Sequence, residues 1–376
     1  MIYTFYSYKG GVGRSMALAN IAELFYRANL KVLIIDWDLE APGIERFFFT
    51  DIDEKRREEF YDKPGIIDML LLYKQKMSQE IIDFNGINLL PFQNLEEIVF
   101  DVYPKSIEEN TEGKLCILSA GKRPKGHFRE YANAVINFDW KDFYKNWQGE
   151  LYFEWLREQF ERIADVVLID SRTGVTEMGG VCTYQLADVV VMLCSANEQC
   201  LEGTQKMLLN LKKPEVKQNR ERDLEVVVVP ARLETSESDR LNKFQKQFLF
   251  KFFPEEKAED PTNSFSQLAI PYVARYSYEE TLAIREKDQY VAKFLVTPYF
   301  KLAVKIAHLA PSNSSVQKAK LYDPNIIWLV DSPTTENKDP INSWICIGGR
   351  DGEPVHSEKT NYSDKCDFCG LSRPEN

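Results

Sequence analysis

Four short runs of branched apolar residues constrain this chain more than any other feature: KVLIID (31–36), ADVVLID (164–170), DVVVMLC (188–194) and LEVVVVP (224–230). They are too short and too rich in β-branched residues for helices, and they do not alternate with polar residues. Such runs suit parallel strands buried on both faces. IYTFY (2–6) reads as a further strand, and KLCILS (114–119) as a weaker one. Segments of helical period lie between them, at 14–28, 65–75, 151–163, 201–213 and 237–253. Strands alternating with helices predict a doubly wound α/β fold with a mostly parallel sheet and right-handed crossovers. Ligands of such folds bind beyond the carboxyl ends of the strands.

The chain has 376 residues, 44% of them hydrophobic, enough for one large core plus an appendage. Residues 1–310 read as the α/β domain. Within it, 91–150 read as a partly helical insertion packed on the sheet edge. Residues 311–340 have a linker composition, and 341–376 form a small tail. Pro298, inside the last amphipathic stretch (290–310), predicts a kink or break. No apolar run reaches the roughly 18 residues that cross a bilayer. The N-terminal residues lack a secretory pattern, so a cytoplasmic location is expected. A net charge of −11 disfavours broad binding to nucleic acid or to an anionic membrane. The cysteines, an odd number at seven, show no disulfide framework; they read as core thiols plus metal ligands at one end.

Between the first strand and the first helix stands KGGVGRS (9–15). A strand, a glycine-rich loop and a helix in that order make a phosphate cradle. Gly10, Gly11 and Gly13 let the backbone turn tightly and aim N–H groups at phosphates, Val12 completes the loop, and Met16 lies in the helix's first turn. The helix N-terminus adds the positive end of its dipole. Ser15 is placed to ligate Mg²⁺ with its hydroxyl. Arg14 stands where a lysine normally neutralises the β- and γ-phosphates. Two strands end in acids: VLIID then Trp37 and Asp38, and VVLID ending at Asp170. Phosphoryl transfer needs mainly placed charge and an oriented water, and these parts can supply both.

KGGVGRS resembles the deviant Walker A motif of the ParA/MinD class of P-loop ATPases, and more narrowly its bacterial KGGVGR variant subgroup. The resemblance spans roughly residues 1–310. It implies a P-loop NTPase fold binding ATP and Mg²⁺, with a homodimer that sandwiches the nucleotide. Lys9 would then reach across to the partner's phosphates. Asp38 would orient the attacking water and contact the Mg²⁺ shell, and Asp36 would support it. Asp170 would match the Walker B aspartate, holding Mg²⁺ through a water. Gly174 would sense the γ-phosphate through its N–H. Arg172, in the same loop, is either a loop-holding salt bridge or a phosphate or dimer contact. Arg232 and IPYVARY (270–276) fall where the class reads the base, and no NKxD signature is present, which favours adenine. The expected function is a Mg-ATP-dependent dimerisation switch with ATPase activity, acting with a protein partner or effector in a bacterial signalling or anti-phage system. The alternative is a non-hydrolysing, ATP-bound adaptor.

The tail carries Cys366 and Cys369 in a C-x-x-C followed by Gly370, with Cys346 and His356 upstream. Together they make a Cys₃His set for tetrahedral Zn²⁺. A segment this short and polar needs such a staple to fold. The order W-x-C, Asn361, C-x-x-C is similar to RanBP2-type zinc fingers, although the second cysteine of those fingers is absent.

Overall fold

A computed structural model describes residues 1–50, 52–79, 94–104, 113–174, 177–218, 220, 222–285, 289–321, 344–346 and 359–361. The chain divides into two units, Met1–Leu321 and Tyr322–Asn376.

In the first unit the order is β1 (Ile2–Ser7), α1 (Arg14–Arg27), β2 (Lys31–Asp36), α2 (Glu54–Asp62), α3 (Ile66–Gln79), β3 (Phe100–Asp101) and β4 (Lys114–Leu118). Then come α4 (Phe128–Ile136), α5 (Trp140–Asn146), α6 (Gly149–Ile163), β5 (Val166–Asp170), α7 (Glu177–Gly180) and a π-helical turn, Val181–Leu186. They are followed by β6 (Val189–Ser195), α8 (Glu198–Leu211), α9 (Pro214–Gln218), β7 (Glu225–Ala231), α10 (Ser238–Phe252) and α11 (Ser264–Leu268). The unit closes with α12 (Gln289–Ala307) and α13 (Ser315–Lys318).

The sheet has seven strands in the order β3-β4-β2-β5-β1-β6-β7. All pairs are parallel except β3 with β4, as a doubly wound fold requires. Both faces are covered, which explains the unbroken apolar runs. On β2, Val32 and Ile34 enter one core and Leu33 and Ile35 the other. Val166 and Leu168 of β5 likewise face the first core, and Val167 and Ile169 the second.

Three segments differ from what their composition suggests. The span 91–150 is not simply an addition at the edge: β4 lies within it and pairs with β2 from Lys31↔Lys114 to Ile35↔Leu118. Its aromatic run packs inward, with Phe138, Trp140 and Phe143 in the same core as Trp37 and Phe153. α12 continues through Pro298 rather than breaking there. Residues 311–321, which resemble linker, hold α13; Val316 is buried and Ser315 Oγ donates to Asp165 Oδ1 at 2.6 Å. The domain therefore extends past Pro311.

In the second unit, β8 (Trp344–Cys346) pairs antiparallel with β9 (Lys359–Asn361), placing Cys346 opposite Lys359. His356, Cys366 and Cys369 lie outside the described residues. No helix among the described residues is long and apolar enough to cross a membrane. Cys116, Cys182, Cys194 and Cys200 are free and buried, as core thiols should be.

Candidate nucleotide site

Parallel pairing brings the carboxyl ends of β1, β2 and β5 to one edge. Asp36 pairs with Asp170, and Phe5 with Asp170. A cavity of about 960 Å³ opens there. Its lining includes Gly10–Met16, Asp38, Asp170, Arg172 and Arg232. The loop enters α1 through Gly13, whose φ of 85° is left-handed, as is Gly11 at 72°. Side-chain-bearing residues rarely hold such angles. α1 has no side-chain cap, so its first N–H groups face the cavity end.

Arg14 is the centre of the site. Its side chain is only 8% exposed. Nε donates to Asp170 Oδ1 at 2.5 Å, and one terminal nitrogen donates to Asp38 Oδ2 at 3.1 Å. The other terminal nitrogen, Nη1, is buried and has no hydrogen-bond partner. Burial alone would lower the Arg14 pKa, but the carboxylates of Asp170 and Asp38 outweigh it and the net shift is upward. Asp38 is pushed up by burial and by Asp170, with Arg14 opposing. Removing the guanidinium would strand two carboxylates, a loss of roughly 3–5 kcal/mol for a buried pair.

Two further links hold the loops that follow β2 and β5. Arg172 forms an ion pair with Glu40, joining the two loops directly. Of the two readings left open for Arg172, the structure shows this one. Asp36 accepts from the Asp38 N–H at 3.3 Å and the Gly43 N–H at 3.0 Å, so it shapes the turn that carries Asp38. Past that turn, buried Glu45 meets Arg123 at 3.4 Å and accepts from the Tyr61 hydroxyl at 3.2 Å. Arg123 in turn lies over the Tyr61 and Tyr131 rings, and the Tyr131 hydroxyl donates to Leu39 O at 2.6 Å. Sequence reading does not single out Glu40, Glu45 or Arg123; nothing in their local pattern separates them from other surface charges.

At the other end of the cavity, β7 leads into Arg232, which holds a left-handed φ of 54°. Its guanidinium donates to Gly11 O and lies 5.0 Å from the Tyr272 ring centroid. The 270–272 segment runs beside 230–233, with Ile270 N–H donating to Pro230 O at 2.8 Å and Tyr272 N–H to Leu233 O at 2.8 Å. Arg232 and the IPYVARY segment thus meet in one wall, together with Tyr276 and Tyr299.

MinD, the septum site-determining protein of Pyrococcus horikoshii OT3 complexed with Mg-ADP, matches with a TM-score of 0.50 at 18% identity, over 84% of this chain and 98% of that one. The chain has the MinD/ParA P-loop ATPase fold. The cell division ATPase MinD of Pyrococcus furiosus matches with a TM-score of 0.48 at 19% identity, over 82% and 99%. A ParA family ATPase of Chlorobium tepidum TLS gives 0.45 at 13%, over 88% and 99%. No family profile and no curated protein sequence matches the chain.

The MinD/ParA fold brings Gly10–Met16, Asp38, Asp170 and Arg232 around one cavity, but not every expected residue. Gly174 does not line it; its N–H donates to Ser7 O at 3.2 Å and braces the loop from behind. Lys9 does not line it either, and its side chain makes no ion pair or hydrogen bond among the described residues. Asn197, just past the end of β6, caps α8 by accepting from the Cys200 N–H at 2.8 Å.

The residues present suit a triphosphate. Nη1 of Arg14 is a buried donor in need of an acceptor, and a Cβ at Gly10 or Gly13 would meet nothing within 4 Å. They suit Mg²⁺ less simply: Ser15 lines the cavity, but the two carboxylates are shared with Arg14.

Tyr8, at the loop's first position, packs on α8 where Gly203 leaves the backbone bare. A Cβ on Gly203 would stand 2.1 Å from the Tyr8 ring. Gly203→Ala is expected to destabilise the fold by roughly 1–3 kcal/mol. Adding Tyr8→Ala should recover most of that loss in a double-mutant cycle. Additive losses in urea melts would mean that the two do not touch.

Burial, then Glu45 and Asp170, push the Asp36 carboxyl well above its ordinary value, against Arg123 and the Gly43 N–H. The folded state thus binds this proton more tightly than the unfolded one, whose carboxyl titrates near pH ~3.9. Stability from this group is present below that pH and is lost as pH rises through the folded-state value. Asp36→Asn should flatten that decline, measured as denaturation midpoints from pH 4 to 8; an unchanged profile would show that Asp36 carries no such shift.

Proposed function

We propose that this protein is a Mg-ATP-binding switch that hydrolyses ATP slowly and dimerises around it. The observation that carries the reading is the cavity at the strand ends, walled by the glycine loop, the uncapped start of α1 and the paired acids. The Mg-ADP in the P. horikoshii MinD structure is bound by a protein of the same fold and supports this choice of ligand. Loop N–H groups and Arg14 Nη1 would bind the phosphates. The wall of Arg232, Tyr272 and Tyr276 would take the base. For cleavage, Ser15 would hold Mg²⁺, with Asp38 and Asp170 contributing only where Arg14 yields them, and the ion would draw charge from the phosphate oxygens. Asp38 would orient the water whose oxygen bonds to the γ-phosphorus as the bond to the bridging oxygen breaks, leaving ADP and phosphate. Lys9, outside its own cavity, is free to serve that of a second copy.

A second reading, an adaptor that binds ATP without cleaving it, draws support from the Arg14–Asp38 pair, which holds the water-orienting acid on another partner. Steady-state phosphate release decides between the two. Release above a Ser15→Ala control supports the enzyme; none supports the adaptor. Mass determination with Mg²⁺ and a slow ATP analogue should give a dimer that Lys9→Ala abolishes. Monomers in both samples would defeat the sandwich.

For the tail we propose a structural Zn²⁺ held by Cys346, His356, Cys366 and Cys369, supporting contact with a partner protein. Metal analysis should find about one zinc per chain, lost on Cys366→Ser. A metal-free preparation that stays folded would remove the site.

A further inference from the structure

We propose that Arg14 is a built-in counter-cation for Asp38 and Asp170, so that this chain binds ATP with little help from Mg²⁺. The proposal rests on the nucleotide reading above and concerns the cation that the two acids receive.

A divalent ion ordinarily answers the problem that two neighbouring carboxylates pose at a phosphate site. Here a guanidinium already answers it. Arg14 spans the acids with separate nitrogens, at 2.5 Å to Asp170 and 3.1 Å to Asp38. All three side chains are withdrawn from solvent, at 8%, 4% and 19% exposure for Arg14, Asp170 and Asp38. Two carboxylates and one guanidinium leave a single negative charge, so the pull on a dication is about half that of the bare acids. A dication entering between them would also meet the positive charge of Arg14 at contact range.

Lysine could not do the same work. Its ammonium is one point, whereas the guanidinium is a rigid fork with five N–H donors. Arg14 uses Nε and one terminal nitrogen on the acids, and Nη1 remains buried and unpartnered on a side chain of a cavity-lining residue. One side chain therefore neutralises the acids and still offers a donor to a phosphate oxygen. The loop N–H groups and the start of α1 supply the rest of the positive field.

The test is a titration of the full chain with a fluorescent ATP analogue, in excess Mg²⁺ and in EDTA, for wild type and Arg14→Lys. Wild type is expected to lose less than about threefold in affinity on chelation, and Arg14→Lys more than about tenfold. Mn²⁺ binding followed by electron paramagnetic resonance should be about tenfold tighter in Arg14→Lys than in wild type. A wild-type loss of tenfold or more on chelation overturns the proposal, whatever the variant does, so a variant that fails to fold does not protect it. Binding of the analogue by neither protein under either condition overturns the nucleotide reading as well. Strong binding that depends on Mg²⁺ in wild type leaves that reading standing and removes only this one.

Discussion

The site depends on the parallel register of β2 with β5, which sets Asp36 beside Asp170 at the ends of two strands buried on both faces. Neither strand can slip by one residue without exchanging every side chain between the two cores. The acids are therefore fixed by hydrophobic packing that lies wholly behind them. Arg14 follows from the same constraint, since β1 pairs with β5 and delivers α1 to the same edge.

The loops in front of the sheet are held differently. Ion pairs and hydrogen bonds join apolar anchors such as Leu39 and Ile44 in setting their positions. Arg172 with Glu40 ties the loop after β5 to the loop after β2. Glu45, Arg123, Tyr61 and Tyr131 tie the latter to α2 and α4. The partly exposed Arg172–Glu40 pair can be exchanged for a link to an anionic ligand at modest cost, whereas the buried Glu45–Arg123 pair and the core beneath it cannot. The acids are thus rigid, while one of the links in front of them is exchangeable.

Much of this was legible in the chain. The apolar runs at 31–36, 164–170, 188–194 and 224–230 became β2, β5, β6 and β7, because burial on both faces leaves a local compositional mark. The glycine loop was legible because left-handed angles at Gly11 and Gly13 demand a residue type. The direction of the Arg14 side chain was not, since both its partners arrive from distant strands. The N–H of Gly174 turned to Ser7, a choice made by loop packing that no spacing encodes. The strand at 114–118 was legible, but the inward packing of the aromatic run near it was not, and the polar composition of 311–321 hid one anchoring valine, Val316. Gly203 did leave a trace, as a lone glycine inside a helical pattern, but not the identity of the ring it admits.

That ring gives the loop a mechanical asymmetry. Tyr8 rests on bare backbone at Gly203, with no slack left between the two. Tyr8 thus sets the height of the loop over α8, and the loop meets a packed wall on that side and an open cavity on the other.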